Sequence, residues 1–403
     1  MRTVAVIGGG AAGMMAAITA AGAKDQHVVL LERQQRVGRK LLSTGNGRCN
    51  LTNLHATPAN YHGEDPSFVR AAMEQCSVED TLRLFSGMGL ITRAEEGGRV
   101  YPLSNSANSV VDVLRFALEG AGVEIRTSCP VTEVLRSGEE FQIRLETETV
   151  CAEKVIIACG GSAGAKLGGV QDGYRILQSL GHTRTKLFPS LVQLTTRDNR
   201  YPRAMKGVKA QAKLMLSGET EGSGRGEVLF TEKGVSGPAI FDLSRCVSVV
   251  PEGKIDLTMD FMEDYSEKEI TELLKKRCEK LPEKTAGELL VGTVHNRLGK
   301  MLVKYAGLDG NKMLQELSEE ELIRVSRALK EFRLAIKGTE GFEQAQVTAG
   351  GIRTSEFDSA TMQSRLVPGL YACGEVLDID GDCGGFNLQW AWSSGRLAGR
   401  LLT

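Results

Sequence analysis

The sequence predicts an α/β fold, in which a parallel sheet that carries a small antiparallel β-meander is interrupted by an insertion that is first β-rich and then helical. Three observations predict this fold. The N-terminal segment reads as a strand, a glycine-rich turn, a helix and a second strand. In the middle of the chain the apolar residues change from strand spacing to helix spacing. A short apolar strand and a helix of small residues follow near the C-terminus.

The composition is that of an ordinary globular protein. Of the 403 residues, 41% are hydrophobic and 25% are charged, and 49 lysines and arginines balance 50 aspartates and glutamates. This balance gives no overall field that favours nucleic acid or an anionic membrane, so we expect a small-molecule substrate and neither of those partners. Nine cysteines without a C-x-x-C pattern indicate reduced thiols and no metal site. The oligomeric state is not predicted.

The uncharged segment from Thr3 to Ala23 has some features of a signal peptide or a short membrane span. Three consecutive glycines at positions 8–10 would interrupt such a span early, and a strand, a turn and a helix account for the whole segment. We therefore expect a cytoplasmic protein.

The glycine-rich turn follows a buried strand from Thr3 to Ile7 and has the spacing Gly8-x-Gly10-x-x-Gly13. In this pattern the first glycine makes the sharp turn, the second lets the backbone approach a pyrophosphate, and the third lets the helix pack closely on the strand. The free N–H groups and the positive dipole end of the helix then face the phosphates. The spacing predicts a dinucleotide-binding turn.

The second strand, HVVLLE, ends at Glu32, about 20 residues after the last glycine of the turn, as the fingerprint requires. A carboxylate at this place accepts hydrogen bonds from an adenosine ribose. It also disfavours the 2′-phosphate of NADP, so the sequence predicts FAD or NAD at this turn.

A glycine–asparagine loop, GRKLLSTGNGRCNLTN at residues 38–53, follows where an NAD dehydrogenase would have its third strand. Gly45 and Gly47 lack the Cβ atoms that would keep the main chain away from an extended ligand. Three cationic side chains accompany them: Arg39, Lys40 and Arg48. The loop is predicted to run past the pyrophosphate toward a flavin, and a mobile surface loop is the alternative. We interpret Cys49 as a packing residue rather than a nucleophile, because only Arg48 would lower its pKa.

The apolar strand GLYACGEVLD, at residues 369–378, ends in Gly374 and Glu375. Such a strand delivers a glycine and an acid to the carboxyl edge of the sheet, where ligands bind in open α/β folds. The helix that follows, NLQWAWSSGRLAGRLL, has Asn387 as its predicted N-cap. Its small residues predict close packing: Ala391, Ser394, Gly395 and Ala398. At the pyrimidine edge of a flavin, its dipole would favour the negative charge of the reduced ring by roughly 0.3 to 2 kcal/mol.

Residues 129–161 alternate in short strands around Ser137 and Gly138 and lead back to a buried strand from Lys154 to Ala158, which predicts the antiparallel meander. The pattern changes from residue 191. We therefore predict a nucleotide-binding domain at 1–190 and 341–403, an inserted β-rich domain at 191–263 and an inserted helical domain at 264–340.

Capping boxes mark the predicted helices of the insertion, at Ser266-x-x-Glu269 and Ser318-x-x-Glu321. Apolar residues then recur at helix spacing, among them Leu322, Val325, Leu329 and Phe332.

Five segments together resemble the aminoacetone oxidase or BaiN-like family of FAD-dependent oxidoreductases, relatives of the glutathione-reductase-type flavoproteins. They are GGGAAG, ERQQRVGRKLLSTGNGRCNLTN, KVIIACGG, QVTAGGI and GLYACGEVLDIDGDCGGFNLQWAWSSGRLAG. The resemblance covers both ends of the chain and is weak in the middle. It implies a Rossmann-like FAD-binding domain with FAD as the cofactor, and it says less about the substrate.

The resemblance also implies which residues contact FAD. The glycine-rich turn would wrap the pyrophosphate, the end of the second strand would hold the adenosine, and the glycine–asparagine loop would line the path to the flavin. These residues are Gly8, Gly10, Ala12, Gly13, Glu32, Arg33, Lys40, Thr44, Asn46, Gly47 and Asn50. The family's glycine turn beside the cofactor falls at Gly160, and the start of the last helix contributes Gly385, Asn387 and Leu388. Val131 is a candidate adenine contact, with an ordinary buried valine as the equal alternative.

The sequence contains one complete dinucleotide fingerprint, so a second, dedicated NAD(P)H domain is not expected. Two electron routes stay open. NAD(P)H could dock transiently on the flavin face to drive reduction of an unsaturated small molecule, or an amine of the aminoacetone type could reduce the flavin and oxygen reoxidise it. In either route hydride passes through flavin N5.

A hypothesis of another class is a flavin-containing RNA-associated or scaffold protein, because the segment from Thr196 to Lys213 is locally basic. We interpret that segment as a solvated strand face, since neither a nucleic-acid motif nor a net positive charge accompanies it. No serine–histidine–acid order, metal-ligand cluster or pair of carboxylates stands out. The catalytic residues are therefore not predicted.

Overall fold

The computed structural model describes residues 2–23, 25–250 and 253–402, and it confirms the predicted α/β fold. The chain forms two compact units. The first comprises the residues up to 188 and those from 345 onward, and the second comprises residues 189–344. The predicted domain boundaries stay a prediction, since compactness alone does not define a domain. In the described part of the chain, no helix is both long and apolar enough to cross a membrane.

The main sheet of the first unit has five parallel strands. Sheets of this kind are covered on both faces, and four of the strands accordingly read as mostly apolar runs, whereas the edge strand Glu124–Arg126 is charged and partly buried. In order across the sheet the strands are Leu370–Ala372, Lys154–Ile157, Arg2–Ile7, Gln26–Leu31 and Glu124–Arg126. Because all five run in one direction, the segments that follow them meet at one edge of the sheet.

Three smaller antiparallel sheets accompany the main sheet. The predicted meander is confirmed, with strands Glu133–Ser137, Glu140–Arg144 and Thr149–Ala152. A second sheet, called here the small sheet, has strands Thr52–Asn53, Arg99–Pro102 and Thr92–Ala94. A third pairs Tyr61–His62 with Asp380–Gly381, and two further short strands are Phe188–Ser190 and Val347–Ala349.

The α-helices of the first unit are Ala11–Ala21, Val69–Gln75, Val78–Gly87, Ala107–Gly120, Asp172–Ser179 and Phe386–Gly399. Short 3-10 segments are Leu41–Gly47, Pro58–Asn60, Pro66–Phe68, Glu96–Gly98, Ala165–Leu167, Thr354–Glu356 and Gly374–Val376. The predicted close packing of the last helix is confirmed at Gly395, where an added β-carbon would lie 2.4 Å from the carbonyl oxygen of Ala12. No larger residue fits between these two helices at that point.

The second unit is built on a closed six-stranded barrel. Its strands, in order around the barrel, are Leu194–Thr196, Gly234–Ser236, Gly222–Phe230, Lys209–Gly218, Ile255–Asp260 and Phe332–Thr339. Its helices are Arg200–Ala204, Pro238–Ser248, Glu267–Lys280, Asn296–Tyr305 and Glu319–Lys330, with 3-10 segments Ala286–Glu288 and Leu314–Glu316. Barrel and helices share one hydrophobic core.

Both predicted capping boxes are confirmed, but the helix after the second one is shorter than the apolar spacing predicted. It ends at Lys330, because Glu331 leaves helical geometry with φ −137° and ψ 53°. Phe332 instead begins the strand Phe332–Thr339, and its fully buried ring lies 4.8 Å from that of Tyr305. The apolar period continues across the boundary because the helix end and the strand start face the same core.

Candidate functional site

The glycine-rich turn has the geometry that its spacing predicts. Gly8 has φ +110°, and a β-carbon there would lie 2.4 Å from the carbonyl oxygen of Ala158. A β-carbon on Gly13 would lie 1.8 Å from the carbonyl oxygen of Gly8, so only glycine lets the first helix start this close to the strand. Gly10 is the N-cap of this helix, which has no side-chain capping hydrogen bond, and no atom lies within 4 Å of a β-carbon placed on Gly10. The N–H groups of this helix start are therefore left for a ligand.

Glu32 lies at the end of the second strand and is 9% exposed. Its Oε2 accepts a hydrogen bond from the N–H of Gly9, and its Oε1 accepts one from the N–H of Gln34, both at 2.7 Å. Burial raises the pKa of this carboxyl, and the two backbone hydrogen bonds offset part of that effect. Each oxygen keeps a further lone pair, so the carboxylate can still accept hydrogen bonds from a ribose.

An open pocket of about 620 Å³ follows Glu32 and is lined by Arg33, Gln34, Gln35, Arg36 and Arg39. Arg33 pairs with Asp172, with 3.2 Å between Nη1 and Oδ2, which fixes one wall of the pocket. The pocket has room for the adenosine end that the resemblance assigns to Glu32 and Arg33.

Two residues predicted from opposite ends of the chain meet in an ion pair. The Nζ of Lys40 lies 2.7 Å from Oε2 of Glu375, whose Oε1 accepts a hydrogen bond from the N–H of Thr348 at 2.8 Å. A β-carbon on Gly160 would lie 4.0 Å from the same Oε2. The structure therefore brings the predicted glycine turn, the cationic loop residue and the C-terminal acid together.

The glycine–asparagine loop forms a 3-10 segment, Leu41–Gly47, that is broken by left-handed residues. Asn46 and Gly47 have φ values of 57° and 83°. The hydroxyl of Thr44 donates to the carbonyl of Leu41 at 2.7 Å. Hydrogen-bonded turns thus hold the main chain at the places where the resemblance expects the cofactor path.

Cys49 lies in this loop with φ 59° and is fully buried. Burial raises the pKa of its thiol to about 12. A thiol that stays protonated at neutral pH is a poor nucleophile, so the structure supports the packing interpretation.

The last helix begins at Phe386, and its N-cap is Gly385, with φ +103° and no side-chain cap. The predicted N-cap, Asn387, is wrong. Its side chain lies within the first turn and holds the preceding loop, because its Nδ2 donates to the carbonyl of Gly381 at 2.7 Å and its Oδ1 accepts from the N–H of Gly381 at 2.8 Å. A glycine cap with a left-handed φ leaves the first-turn N–H groups open to a ligand.

The predicted loop residue Asn50 lies against this helix start. Its Oδ1 is buried and, among the described residues, has no hydrogen-bond partner. A β-carbon on Gly385 would lie 3.0 Å from that oxygen. An acceptor left without a donor costs about 1 to 3 kcal/mol, so this oxygen is open to a donor from outside the described residues, and its contact with FAD stays a prediction.

These features fit an extended dinucleotide whose two ends lie at Glu32 and at the start of the last helix. Two helix N-termini are uncapped, the glycine at position 10 opens to free space, and a buried amide oxygen lacks a partner. Val131 is partly buried against the core, and its contact with the adenine stays a prediction, as does the contact of Leu388 with the flavin.

The family model described as the HI0933-like protein Rossmann domain matches residues 2–401 of the chain. The chain belongs to this family.

The chain matches two relatives over nearly their whole length. It is 38% identical to the 3-dehydro-bile acid delta(4,6)-reductase of Clostridium scindens, covering 99% of this chain and 98% of that protein. It is 31% identical to the ribosomal RNA dihydrouridine synthase of Escherichia coli, covering 96% of this chain and 95% of that protein. Among solved structures, the 3-ketosteroid-delta4-(5alpha)-dehydrogenase of Rhodococcus jostii RHA1 is 16% identical with a TM-score of 0.47, covering 99% of this chain and 97% of that chain.

Family membership confirms the resemblance drawn from the motifs. The protein is an FAD-dependent oxidoreductase with a Rossmann-like domain.

Sequence reasoning missed two side chains beside this site. Arg99 and Tyr101 lie on the small sheet, close to the two loops that flank the start of the last helix. The only sequence signal was the alternation of an arginine and a tyrosine after Gly97 and Gly98, which many exposed strands share.

Sequence reasoning also did not find a buried network around His182. Its Nδ1 lies 3.0 Å from Oε2 of Glu356 and its Nε2 lies 3.0 Å from Oγ of Ser364. The Ser364 oxygen also accepts hydrogen bonds from the N–H groups of Leu366 and Val367. Because Ser364 is 6% exposed and the acceptor sites of its hydroxyl are used, this serine–histidine–acid arrangement holds the fold together and does not supply a nucleophile.

Proposed function

We propose that the enzyme uses NAD(P)H to reduce a carbon–carbon double bond that is conjugated to a carbonyl group in a small molecule. The observation that carries this proposal is the 38% identity, over 99% of the chain, to a reductase named for delta(4,6) unsaturation in a 3-dehydro bile acid. In that nomenclature the 3-dehydro position bears a carbonyl, so the double bonds are conjugated with it.

Bound FAD would supply hydride transfer through its N5 atom, while the protein binds and orients the reactants. The uncapped start of the last helix would favour negative charge at the neighbouring end of the cofactor. Glu32 and the glycine-rich turn would hold the other end. Since the sequence has one dinucleotide fingerprint, NAD(P)H would bind transiently rather than in a domain of its own.

A second candidate substrate is a uridine in RNA, because two relatives, 31% and 29% identical, are named ribosomal RNA dihydrouridine synthase. That reaction also saturates a double bond next to a carbonyl. The basic segment 196–213 does not favour RNA, since four of its six cations form ion pairs with neighbouring acids. The ion pairs are Arg200–Asp198, Lys206–Glu232, Lys209–Glu227 and Lys213–Glu263. A phosphate backbone would have to displace these acids.

An absorbance spectrum and an anaerobic titration test the proposal. The purified protein should show flavin bands that are bleached by NADH or NADPH and restored by an unsaturated ketone such as 4-androstene-3,17-dione. Mass spectrometry should find a product two hydrogen atoms heavier.

Three other results would contradict this function. Bleaching by aminoacetone with oxygen consumption would identify an amine oxidase. Restoration of the bands by an unmodified ribosomal RNA fragment, and not by the ketone, would identify the RNA reaction. Flavin bands that no reductant bleaches would indicate a cofactor with a structural role only.

A further inference from the structure

Arg99 and Tyr101 belong to the central strand of the small sheet, Arg99–Pro102, in the first unit. Residues two apart on a strand point to the same face. Both side chains are hydrogen-bond donors, and both lie where the strand passes the candidate cofactor site. The pair therefore presents two donors on one surface.

Tyr101 is 7% exposed, and its hydroxyl is not one of the fully buried atoms that lack a partner, so the oxygen still reaches solvent. Across residues 2–23, 25–250 and 253–402, no hydrogen bond joins this hydroxyl to another residue. Burial raises the pKa of the phenol, and the cations Arg99 and Arg48 offset part of that effect. The hydroxyl thus stays protonated at neutral pH and can donate.

Arg99 differs from the arginines around it. Arg48 and Arg93 both donate to Oε1 of Glu95, at 2.5 and 2.9 Å, and Arg48 also covers the ring of Tyr101 at 3.9 Å. Within the described part of the chain, the guanidinium of Arg99 has neither an acid partner nor a hydrogen bond. Of the three arginines Arg48, Arg93 and Arg99, Arg99 is therefore the one whose charge is not paired with an acid.

Both donors lie beside the loops that flank the expected flavin end. A β-carbon on Gly45 would lie 3.2 Å from Cε1 of Tyr101, and one on Gly384 would lie 3.5 Å from Nε of Arg99. Gly384 directly precedes the N-cap of the last helix, and its carbonyl accepts a hydrogen bond from Asn53 at 2.9 Å. A substrate that reaches the flavin end would pass these two donors.

We propose that the Tyr101 hydroxyl and the Arg99 guanidinium bind the carbonyl oxygen of an α,β-unsaturated carbonyl substrate. This inference rests on the proposed function and specifies its substrate class. Two donors without acceptors in the protein are what a developing oxyanion requires.

The proposed reaction is a conjugate reduction, in which a hydride adds to the β-carbon and a proton adds to the α-carbon. NAD(P)H is the reductant, and its hydride equivalent reaches the β-carbon, where a C–H bond forms with two electrons. The π electrons of the double bond then move to the carbonyl oxygen, which becomes an enolate oxygen held by the two donors. A proton from water adds to the α-carbon, and the product is the saturated ketone with NAD(P)+.

The test uses the FAD-loaded full-length enzyme, 4-androstene-3,17-dione as the probe, and the variants Tyr101→Phe and Arg99→Gln. The matched controls are Tyr265→Phe, at a tyrosine that is 45% exposed, and Arg93→Gln, whose arginine already pairs with Glu95. Hydrogen bonding to a conjugated ketone moves its ultraviolet absorption band to longer wavelength. This shift is measured on the oxidised enzyme and needs no turnover.

We expect the wild type and both controls to show the shift, and Tyr101→Phe to lose it. In Tyr101→Phe, kcat/KM for the probe should fall about 100-fold, and in Arg99→Gln about tenfold or more. The FAD content and the rate of flavin bleaching by NAD(P)H should stay at wild-type values in all four variants.

The possible failures are distinguishable. No shift in the wild type, or a shift and turnover that persist in Tyr101→Phe, would overturn the carbonyl site, and turnover of the probe would still support the reductase function. Loss of FAD from both variants would assign the pair to the cofactor and also overturn the inference. A shift that depends on Tyr101 without any bleaching by NAD(P)H would support the carbonyl site and contradict the proposed reductant.

Discussion

The two compact units differ in how many of their buried side-chain polar atoms lack a hydrogen-bond partner. In the described residues of the first unit, four buried side-chain atoms lack a hydrogen-bond partner: Gln26 Oε1, Asn50 Oδ1, Ser162 Oγ and Tyr174 OH. In the described residues of the second unit only Arg277 Nε does so, and the barrel residues Lys209 and Arg225 pair with acids. An unpaired buried polar group costs about 1 to 3 kcal/mol. Asn50 Oδ1 lies beside the start of the last helix, so the first unit leaves an acceptor open at the candidate cofactor site, whereas the described residues of the second unit leave no buried side-chain acceptor open.

The largest expected effect is at the glycine-rich turn. In Gly13→Ala, the added carbon would lie 1.8 Å from the carbonyl oxygen of Gly8, so the first helix must move away from the sheet. We expect loss of bound FAD and a fall of more than about 4 kcal/mol in the free energy of unfolding, measured by flavin absorbance and urea titration.

The matched control is Gly87→Ala. Gly87 ends another helix of the same unit and has nothing within 4 Å of an added β-carbon. Its replacement should keep FAD and raise the stability by about 0.5 to 1 kcal/mol. If Gly13→Ala kept FAD and stability as Gly87→Ala does, the first helix would not need to lie so close to the glycine-rich turn.

The second prediction concerns a polar group of the first unit that is already satisfied. Burial lowers the pKa of His182 from 6.5, although its hydrogen bond to Glu356 opposes this. Below about pH 6.5 the unfolded chain binds a proton that the folded protein does not, so stability is complete above that pH and falls as the pH decreases toward the folded-state value. His182→Gln should cost about 1 to 3 kcal/mol near pH 7.5 and remove this acid-side slope.

Urea unfolding between about pH 5 and 8 measures the slope. His27→Gln, at a histidine whose side chain is 40% exposed, should keep it. Because His182 has both its partners in the protein, added FAD should leave the slope unchanged. If the pH dependence of stability changed with FAD, His182 could no longer be contrasted, as a group with all its partners in the protein, with groups that face the cofactor.

The third prediction addresses the unpaired acceptor directly. Asn50→Ala removes an oxygen that has no donor in the described protein, so the apoprotein should unfold at the same temperature or slightly higher. The dissociation constant of FAD should rise about tenfold, which corresponds to one hydrogen bond of about 1.4 kcal/mol. Calorimetry of the apoprotein and fluorescence titration with FAD measure the two quantities. A destabilised apoprotein with unchanged FAD affinity would show that Asn50 has a structural role.

The smallest effect is expected on the barrel surface. Lys209 pairs with Glu227 at 3.0 Å, and their side chains are 62% and 37% exposed. Lys209→Gln should change the free energy of unfolding by less than about 1 kcal/mol and leave FAD binding unaffected, because exposed ion pairs contribute little. A large loss of RNA affinity in a salt-dependent binding assay would instead give this surface a function.

The sequence predicted well where a feature depends on neighbours in the chain. The glycine-rich turn, the meander around Ser137 and Gly138 and the capping boxes at Ser266 and Ser318 each combine residues a few positions apart, and the structure confirms them. Local rules failed where two conformations suit the same residues. Phe332 fits the apolar period of a helix and equally the first inward position of a strand.

The candidate site was predicted in part. Glu32 and Glu375 were predicted because acids at strand ends beside glycines are typical of nucleotide sites, and Lys40 was implied by the family resemblance. The structure adds that Lys40 and Glu375 form a pair, and their contacts with FAD stay predictions. Asn387 was assigned to the wrong position because a cap is decided by backbone angles, which Gly385 satisfies with a positive φ. Arg99 and Tyr101 were missed because an unpaired donor is recognised only when every potential partner has been located.

The sequence by itself determined the cofactor-binding turn, the class of fold and the family, because spacing of glycines and apolar residues acts through local backbone geometry. Tertiary structure alone decided which side chains meet: the ion pair of Lys40 with Glu375, the network of His182, and the two free donors on the small sheet. Burial and hydrogen bonding depend on which residues are neighbours in the folded protein, and those residues are often far apart in the sequence. The chemistry of the site therefore became visible only after the chain had folded.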